Sequence, residues 1–190
     1  MTERLTIALI YGSGREGRFA DTIAGWLEPE LAGFQQYDII RIDPAELAFT
    51  PGGLDEASAE MVESRISQAD AFLIVTPEYN HAYPAALKAI IDSCFRPWHA
   101  KPIAFISYGG VSGGLRAVEQ LRLVFAELHA VAIRETVSLA HAWTQFDPAG
   151  NPFRPGQING QLAVLMKRLT WWADALKAAR IATRYDEAAA

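Results

Sequence analysis

Short apolar runs alternate with helical patterns along the chain, and this alternation restricts the fold more than any other feature of the sequence. Between the runs, apolar residues recur at the 3.6-residue period of an amphipathic helix. Strands separated by helices form parallel sheets that are covered on both faces. We therefore predict a doubly wound α/β domain with a five-stranded parallel sheet. The five runs are LTIALI (5–10), YDIIRI (37–42), AFLIVT (71–76), PIAFIS (102–107) and AVAIRETV (130–137).

Composition and charge limit the class of protein further. The chain has 190 residues, 51% of them hydrophobic, so we expect a single domain over residues 1–181 and a frayed tail over 182–190. The net charge of -5 argues against a nucleic-acid partner. No apolar stretch approaches the ~18 residues of a membrane span, and no N-terminal signal pattern is present. Cys94 is the only cysteine, which excludes an internal disulfide, and we expect a cytoplasmic protein.

The first loop, YGSGREGR (11–18), joins the first predicted strand to the first helix. Loop amides and a helix N-terminus converge there, which favours an anionic ligand. The glycines spell G-x-G-x-x-G, the dinucleotide fingerprint, but Ser13, Arg15 and Arg18 add donors that suit a terminal phosphate. Asp43, after the second strand, keeps a dinucleotide site open as an alternative, because such sites place an acid on the ribose. An ordinary glycine-rich turn is the third interpretation.

Two more loops follow the third and fourth predicted strands. The segment PEYNHAYP (77–84) places polar and aromatic side chains between two prolines, and an aromatic ring there can cover a flat heterocycle. The segment YGGVSGG (108–114) lets the backbone approach a ligand closely, with Ser112 as a candidate N-cap of the next helix. The carboxyl ends of parallel strands share one edge of a sheet. The three loops therefore outline a pocket for a phosphate and a planar ring, although capped turns remain an alternative.

The sequence resembles the NADPH-dependent FMN reductase family, a flavodoxin-like group of quinone, chromate and azo-dye reductases. The matching stretches are GSGREGR (12–18), TPEYNHAYPAALKAIID (76–92) and SYGGVSGGLRAVEQLR (107–122). The resemblance implies a flavodoxin-like three-layer sandwich with strand order 2-1-3-4-5 and a bound FMN. It gives no role to the stretch HAWTQFDPAGNPFRPG (141–156).

The resemblance also implies which residues bind FMN. The first loop would hold the phosphate, and the other two loops would lie on either side of the isoalloxazine ring. A flavin supplies the electron chemistry itself, so no catalytic side chain and no metal is expected. The implied phosphate residues are Ser13, Arg15, Gly17 and Arg18; the ring residues are Pro77, Glu78, Tyr79 and Asn80 on one side and Ser107, Tyr108, Gly109 and Gly110 on the other; His81 and Tyr83 are expected in the substrate pocket.

The implied function is an FMN-dependent NAD(P)H oxidoreductase. It would transfer hydride from NADPH or NADH through FMN to a quinone-like or other small electron acceptor, as a homodimer or homotetramer. A non-catalytic flavodoxin-like electron carrier is one alternative, which the mixed acidic and basic residues disfavour. A Rossmann NAD-binding protein without flavin is the other, and the glycine fingerprint alone supports it.

Overall fold

The structure, a computed structural model, describes residues 4–187 and contains a five-stranded sheet in which every neighbouring pair of strands is parallel. The strand order is β2-β1-β5-β6-β7. Numbered among these five strands alone it is 2-1-3-4-5, so the predicted topology is confirmed. The strands are β1 (Leu5–Tyr11), β2 (Tyr37–Ile42), β5 (Ala71–Pro77), β6 (Pro102–Gly109) and β7 (Val131–Ala140); a separate hairpin consists of β3 (Phe49–Thr50) and β4 (Gly53–Leu54).

Helices cover both faces of the sheet and complete a three-layer sandwich. One core cluster lies between the sheet and two helices, α1 (Ala20–Ala32) and α5 (Pro155–Ala182). A second cluster lies under α2 (Glu56–Gln68), α3 (Ala85–Asp92) and α4 (Leu115–Glu127) on the opposite face. This arrangement confirms the predicted α/β doubly wound class.

The central strand β5 shows why the predicted runs are continuously apolar. All seven of its residues are buried. Leu73 belongs to the core under α1 and α5, whereas its neighbour Ile74 belongs to the core under α2 to α4. Successive side chains of a strand point to opposite faces, and both faces are covered here, so the five residues from Ala71 to Val75 are all apolar.

The strands reach further toward the loops than the apolar runs predict. β5 ends at Pro77, β6 at Gly109 and β7 at Ala140, each one to three residues beyond its run. The three loops of interest follow β1, β5 and β6, which are adjacent strands. They therefore emerge side by side at the carboxyl edge of the sheet.

The segment 182–190, which is expected to fray, is described as far as residue 187. Ala182 ends α5, and Tyr185–Glu187 form a 3₁₀ turn. The Tyr185 ring lies 5.6 Å from the His129 ring and 5.5 Å from the His99 ring. Residues 188–190 lie outside the described residues. Across residues 4–187, no helix combines the length and apolar character needed to cross a membrane.

Candidate cofactor site

The three predicted loops contact one another at the carboxyl edge of the sheet. The Ser13 Oγ in the first loop lies 2.7 Å from the Tyr79 hydroxyl in the second. The Glu78 amide of the second loop donates to the Tyr108 carbonyl, at the start of the third, over 3.1 Å. These contacts make one continuous surface from the three loops.

The first loop presents a hydroxyl and one guanidinium to the site. Ser13 is buried, whereas Arg15 is exposed and forms no ion pair within residues 4–187. The Arg15 guanidinium carbon lies 3.7 Å from the centre of the Tyr79 ring, a cation–π contact that holds it over the loop. Gly17 has a φ of +64°, a left-handed conformation that glycine adopts without a Cβ clash. The loop thus offers Ser13 and Arg15 to an anion.

Arg18 was expected to bind phosphate directly, but its side chain is engaged within the protein. Its guanidinium pairs with both carboxylate oxygens of Asp43, one at 2.6 Å, and it also donates to the Ser13 carbonyl. Only 9% of the Arg18 side chain and 3% of the Asp43 side chain are exposed. Arg18 thus ties the first loop to the end of β2, and a direct contact with phosphate stays a prediction.

The same ion pair weakens the dinucleotide alternative. Burial would raise the pKa of Asp43, but the hydrogen bonds from Arg18 and Ala45, together with the positive charges of Arg18 and Arg41, outweigh burial and hold the pKa below the usual value. The Asp43 carboxylate also accepts from the Ala45 amide at 2.9 Å. A carboxylate that is buried and doubly bonded in this way is not available to hold a ribose.

The second loop contains a tight reverse turn. The Tyr79 and Ala82 backbones exchange hydrogen bonds of 2.8 Å and 3.1 Å around Asn80 and His81. These two residues have φ values of +51° and +70°, which is the pattern of a type I′ turn. Such a conformation is strained for His81, because the second position of this turn favours glycine. The His81 carbonyl accepts from the Gln120 side chain at 2.6 Å, which ties the turn to α4.

Glu78 joins the second loop to the third. Its carboxylate accepts from the Ser112 hydroxyl at 2.5 Å and from the Arg116 guanidinium at 2.9 Å. Burial raises the pKa of Glu78, whereas the hydrogen bonds from Ser112 and Arg116 lower it. The net pKa lies below the usual value. Glu78 is therefore a fixed anion that clamps two loops. Ser112, expected as an N-cap, serves this clamp, and α4 begins later, at Leu115.

The third loop carries one side chain that is satisfied internally and one that is not. The Ser107 hydroxyl is buried and donates to the Gly113 carbonyl at 2.8 Å. The Tyr108 hydroxyl is buried and has no hydrogen-bond partner among residues 4–187. A Cβ added at Gly109 would meet the Gly114 amide nitrogen at 3.4 Å, so the backbone is closely packed there. Ser107 consequently acts as a support of the loop.

The two residues expected in a substrate pocket lie apart from the main cleft. A cleft of about 630 Å³ joins the first loop to α3, with Ser13, Arg15 and Tyr79 among its lining residues. Tyr83 lines a neighbouring depression of about 610 Å³, beside Leu54 and Lys88, which shares Ala85 and Ala89 of α3 with the cleft. His81 lies on the exposed reverse turn and lines neither.

Sequence reasoning missed two contributors to this rim. The connection after β2 supplies Pro44, Ala45 and the half-exposed Phe49 to the cleft, although Asp43-Pro44 looks only like a turn in the sequence. Trp143, in the stretch that had no assigned role, is 59% exposed and lies beside Gly110: a Cβ added there would be 3.8 Å from the indole. An exposed tryptophan directly after a strand was the available signal.

The fold and the joined loops define a flavodoxin-like α/β protein in which three loops meet at the carboxyl edge of the sheet. Residues 5–144 match the family described as NADPH-dependent FMN reductase. The chain therefore belongs to the NADPH-dependent FMN reductase family, a group of oxidoreductases that use FMN and NAD(P)H.

Three known proteins illustrate the similarity. An NAD(P)H-dependent FMN reductase from Schizosaccharomyces pombe is 36% identical over 119 residues, 57% of this chain and 60% of that protein, so the chain spans less than two thirds of this relative. A quinone reductase from Escherichia coli is 31% identical over 145 residues, 71% of this chain and 77% of that protein. FerB, a flavoenzyme NAD(P)H:(acceptor) oxidoreductase from Paracoccus denitrificans, shares the fold, with a TM-score of 0.67, 22% identity, and coverage of 92% of this chain and 98% of FerB.

Proposed function

We propose that this protein is an FMN-dependent NAD(P)H oxidoreductase that passes electrons to a quinone-like or other small acceptor. One observation carries the proposal: three loops of adjacent strands are tied together at one rim, where the exposed Arg15 guanidinium has no ion pair and the buried Tyr108 hydroxyl has no hydrogen-bond partner among residues 4–187. Family membership and relatives described as FMN and quinone reductases support it. The engaged Asp43 disfavours the alternative of a flavin-free dinucleotide protein.

The residues at the rim fit FMN in their chemistry. Among the described residues, Arg15 has no carboxylate partner and the buried Tyr108 hydroxyl has no hydrogen-bond partner. Both groups could therefore bind a ligand. Ser13, Arg15 and the amides near Gly17 would hold the phosphate, with Arg18 as a support behind them. The segments 77–80 and 107–110 would hold the ring. When bound, a flavin supplies two-electron transfer from a nicotinamide and onward transfer of the electrons.

The chain's own contribution is placement of the loops. The Glu78 carboxylate fixes the second loop against the third through Ser112 and Arg116. The Arg18–Asp43 pair fixes the first loop against the end of β2. Two rigid clamps of this kind keep the ring and phosphate positions at a constant separation, which is the requirement for a cofactor site that relies on orientation.

The acceptor would dock at an open, partly aromatic cleft. The cleft is lined by Phe49, Tyr79 and alanines of α3, which suits flat apolar molecules such as quinones. We retain His81 and Tyr83 as contacts of the substrate at its margins. Either NADPH or NADH would serve as electron donor, and no side chain of the rim selects between them.

We also propose a homo-oligomer in the cytoplasm. Leu123 on α4 and Val164 and Trp171 on α5 are more than half exposed, which leaves apolar helix surface for a second copy. A cytoplasmic location agrees with a nicotinamide electron donor and with the single free cysteine, Cys94. Neither nucleic acid nor membrane is proposed as a partner, given the net charge of -5.

Reconstitution with FMN tests this function. We expect the purified protein to take up FMN and to oxidise NADPH or NADH steadily only when FMN and a quinone are both present. FMN uptake without turnover would instead favour an electron carrier. A protein that fails to take up FMN would overturn the proposal.

A further inference from the structure

The Tyr108 side chain is the unusual member of the buried tyrosines. Tyr11 and Tyr37 are equally buried, but the Tyr11 hydroxyl donates to Glu28 at 2.7 Å and the Tyr37 hydroxyl is bonded to Thr170 at 2.5 Å. Tyr108 is only 5% exposed, and its hydroxyl has no partner within residues 4–187. Buried polar groups are nearly always hydrogen-bonded, because an unpaired one is costly. This hydroxyl therefore calls for a partner from outside the chain.

The ring of Tyr108 points toward the first loop. It packs against Phe19, with ring centres 6.0 Å apart, and Phe19 is the residue that precedes α1. Burial is the main cause of a raised pKa for Tyr108, and the charges of Tyr79, Arg18 and Asp21 also act on it. All three of those residues belong to the first two loops or to the start of α1. The hydroxyl consequently lies on the phosphate side of the site, although Tyr108 belongs to a loop assigned to the ring.

The N-terminus of α1 is the position at which an anion could meet this hydroxyl. α1 has 13 residues, and its N-cap, Phe19, offers no side-chain acceptor to the amides of the first turn. Those amides carry the positive end of the helix dipole. Asp21 is in this turn, but its carboxylate is paired with Arg18 at 2.9 Å. An external anion here would meet helix amides, Arg15 and the unpaired Tyr108 hydroxyl.

We infer that the Tyr108 hydroxyl donates a hydrogen bond to the phosphate of FMN. The inference deepens the proposed function and rests on it. Tyr108 thus serves two parts of one ligand: its backbone belongs to the loop beside the ring, and its side chain reaches the opposite end. This hydrogen bond contributes to binding only, since no proton needs to leave the phenol.

Replacement of Tyr108 by phenylalanine tests the inference, because it removes only the hydroxyl. Apoprotein is titrated with FMN and with riboflavin, which lacks the phosphate, and melting temperatures are measured with and without FMN. We expect the Kd of FMN to rise about tenfold, which corresponds to one charge-assisted hydrogen bond, and the Kd of riboflavin to stay unchanged. The melting temperature of the apoprotein should rise, since an unpaired buried hydroxyl is gone, while the further increase caused by FMN should shrink.

Tyr37→Phe is the matched control, as its hydroxyl has an internal partner, Thr170. This variant should lower the melting temperature of the apoprotein and leave the Kd of FMN unchanged. Unchanged FMN affinity in Tyr108→Phe would overturn the inference while the proposed function stands. An equal loss of FMN and riboflavin affinity would overturn the phosphate assignment as well. If the wild-type protein binds neither riboflavin nor FMN, the proposed function and the inference are both wrong.

Discussion

The two edges of the sheet carry similar residue types, but they use them differently. At the amino edge, the Asp70 carboxylate accepts from the Thr6 amide at 3.0 Å and from Lys177 at 3.1 Å, with Arg180 at 3.7 Å. Lys101 is buried and donates to two carbonyls at the end of α2, at 2.9 Å and 3.1 Å. At the carboxyl edge, by contrast, Arg15 has no carboxylate partner and the Tyr108 hydroxyl has none at all among the described residues.

This difference shows which feature marks a binding site in this molecule. Charge does not, because buried charges occur at both edges. Backbone strain does not either, since His81 at the carboxyl edge and His129 at the amino edge both have left-handed φ values, +70° and +53°. Among the described residues, the exposed Arg15 guanidinium without an ion pair and the buried Tyr108 hydroxyl without a hydrogen-bond partner lie together where the three loops meet, whereas the amino edge holds one buried atom without a partner, His99 Nε2. Variants at the amino edge should therefore change stability alone, and variants at the carboxyl edge should change ligand affinity.

The largest effect is expected at the amino edge, for Asp70→Asn. Removal of this charge weakens the ion pairs of Asp70 with Lys177 and Arg180, and breaking a largely buried ion pair costs about 3 kcal/mol. The free energy of unfolding, measured with urea, should fall by that amount, and the Kd of FMN should stay unchanged. Asp38→Asn is the control, because Asp38 pairs with Arg4 on the exposed surface and should cost less than 1 kcal/mol. A loss of FMN affinity in Asp70→Asn would contradict the separation of the two edges.

The pH dependence of stability probes the same edge through Lys101. Burial, with a smaller effect of Arg180, lowers the pKa of Lys101 from 10.5 to about 8. The unfolded chain therefore binds more protons between pH 8 and 10.5, and the folded protein gains stability as pH rises through that window. Below pH 8 the lysine is protonated in both states, so its contribution is constant.

Comparison with Lys101→Met isolates this effect from other titrating groups, such as Cys94. The difference in unfolding free energy between wild type and variant should rise by about 2 kcal/mol in favour of the wild type from pH 8 to pH 10. The FMN-induced increase in melting temperature should be the same for both proteins at each pH. A difference that does not change with pH would show that Lys101 keeps an ordinary pKa.

At the carboxyl edge, Arg15→Ala should produce the opposite pattern. Loss of a charge-assisted hydrogen bond to phosphate costs about 2 kcal/mol, so the Kd of FMN should rise about 30-fold. The melting temperature of the apoprotein should hardly change, because Arg15 is exposed and forms no ion pair among the described residues. Arg134→Ala removes an exposed arginine of β7 and should change neither quantity. An unaltered FMN Kd in Arg15→Ala would remove the first loop from the site.

The alternation of apolar runs with helical patterns was sufficient to predict the sheet. Central strands such as β5 are buried on both faces and therefore show as continuous apolar runs. The location of the three loops followed from the geometry of parallel strands, whose carboxyl ends share an edge. The hairpin of β3 and β4 was not predictable, since strands of two residues are too short to show a period. The position of its residue Phe49 in the cleft was therefore not predictable from the sequence either.

Partners of charged side chains were the other failure of sequence reasoning. Arg18 and Asp43 are separated by 25 positions, and Glu78 and Arg116 by 38. No local pattern relates such residues, and tertiary packing alone decides whether an arginine faces a ligand or a carboxylate. Arg15 and Arg18 lie three positions apart in one loop and have opposite roles, for this reason.

Controls aside, His81→Gly should give the smallest change in free energy, and it tests whether the left-handed backbone at His81 differs in function from that at His129. Glycine adopts the left-handed conformation of this turn position freely, so the free energy of unfolding should rise by about 1 kcal/mol. His129→Gly at the amino edge relieves the same kind of strain, but it also removes the 3.0 Å contact of the His129 Nδ1 with the Tyr185 hydroxyl, so it should stabilise the protein less. If His81 contacts the acceptor, only His81→Gly should raise the KM for a quinone, at an unchanged Kd of FMN. Identical KM values for the two variants would mean that the strain at His81 belongs to the turn alone, just as it does at His129.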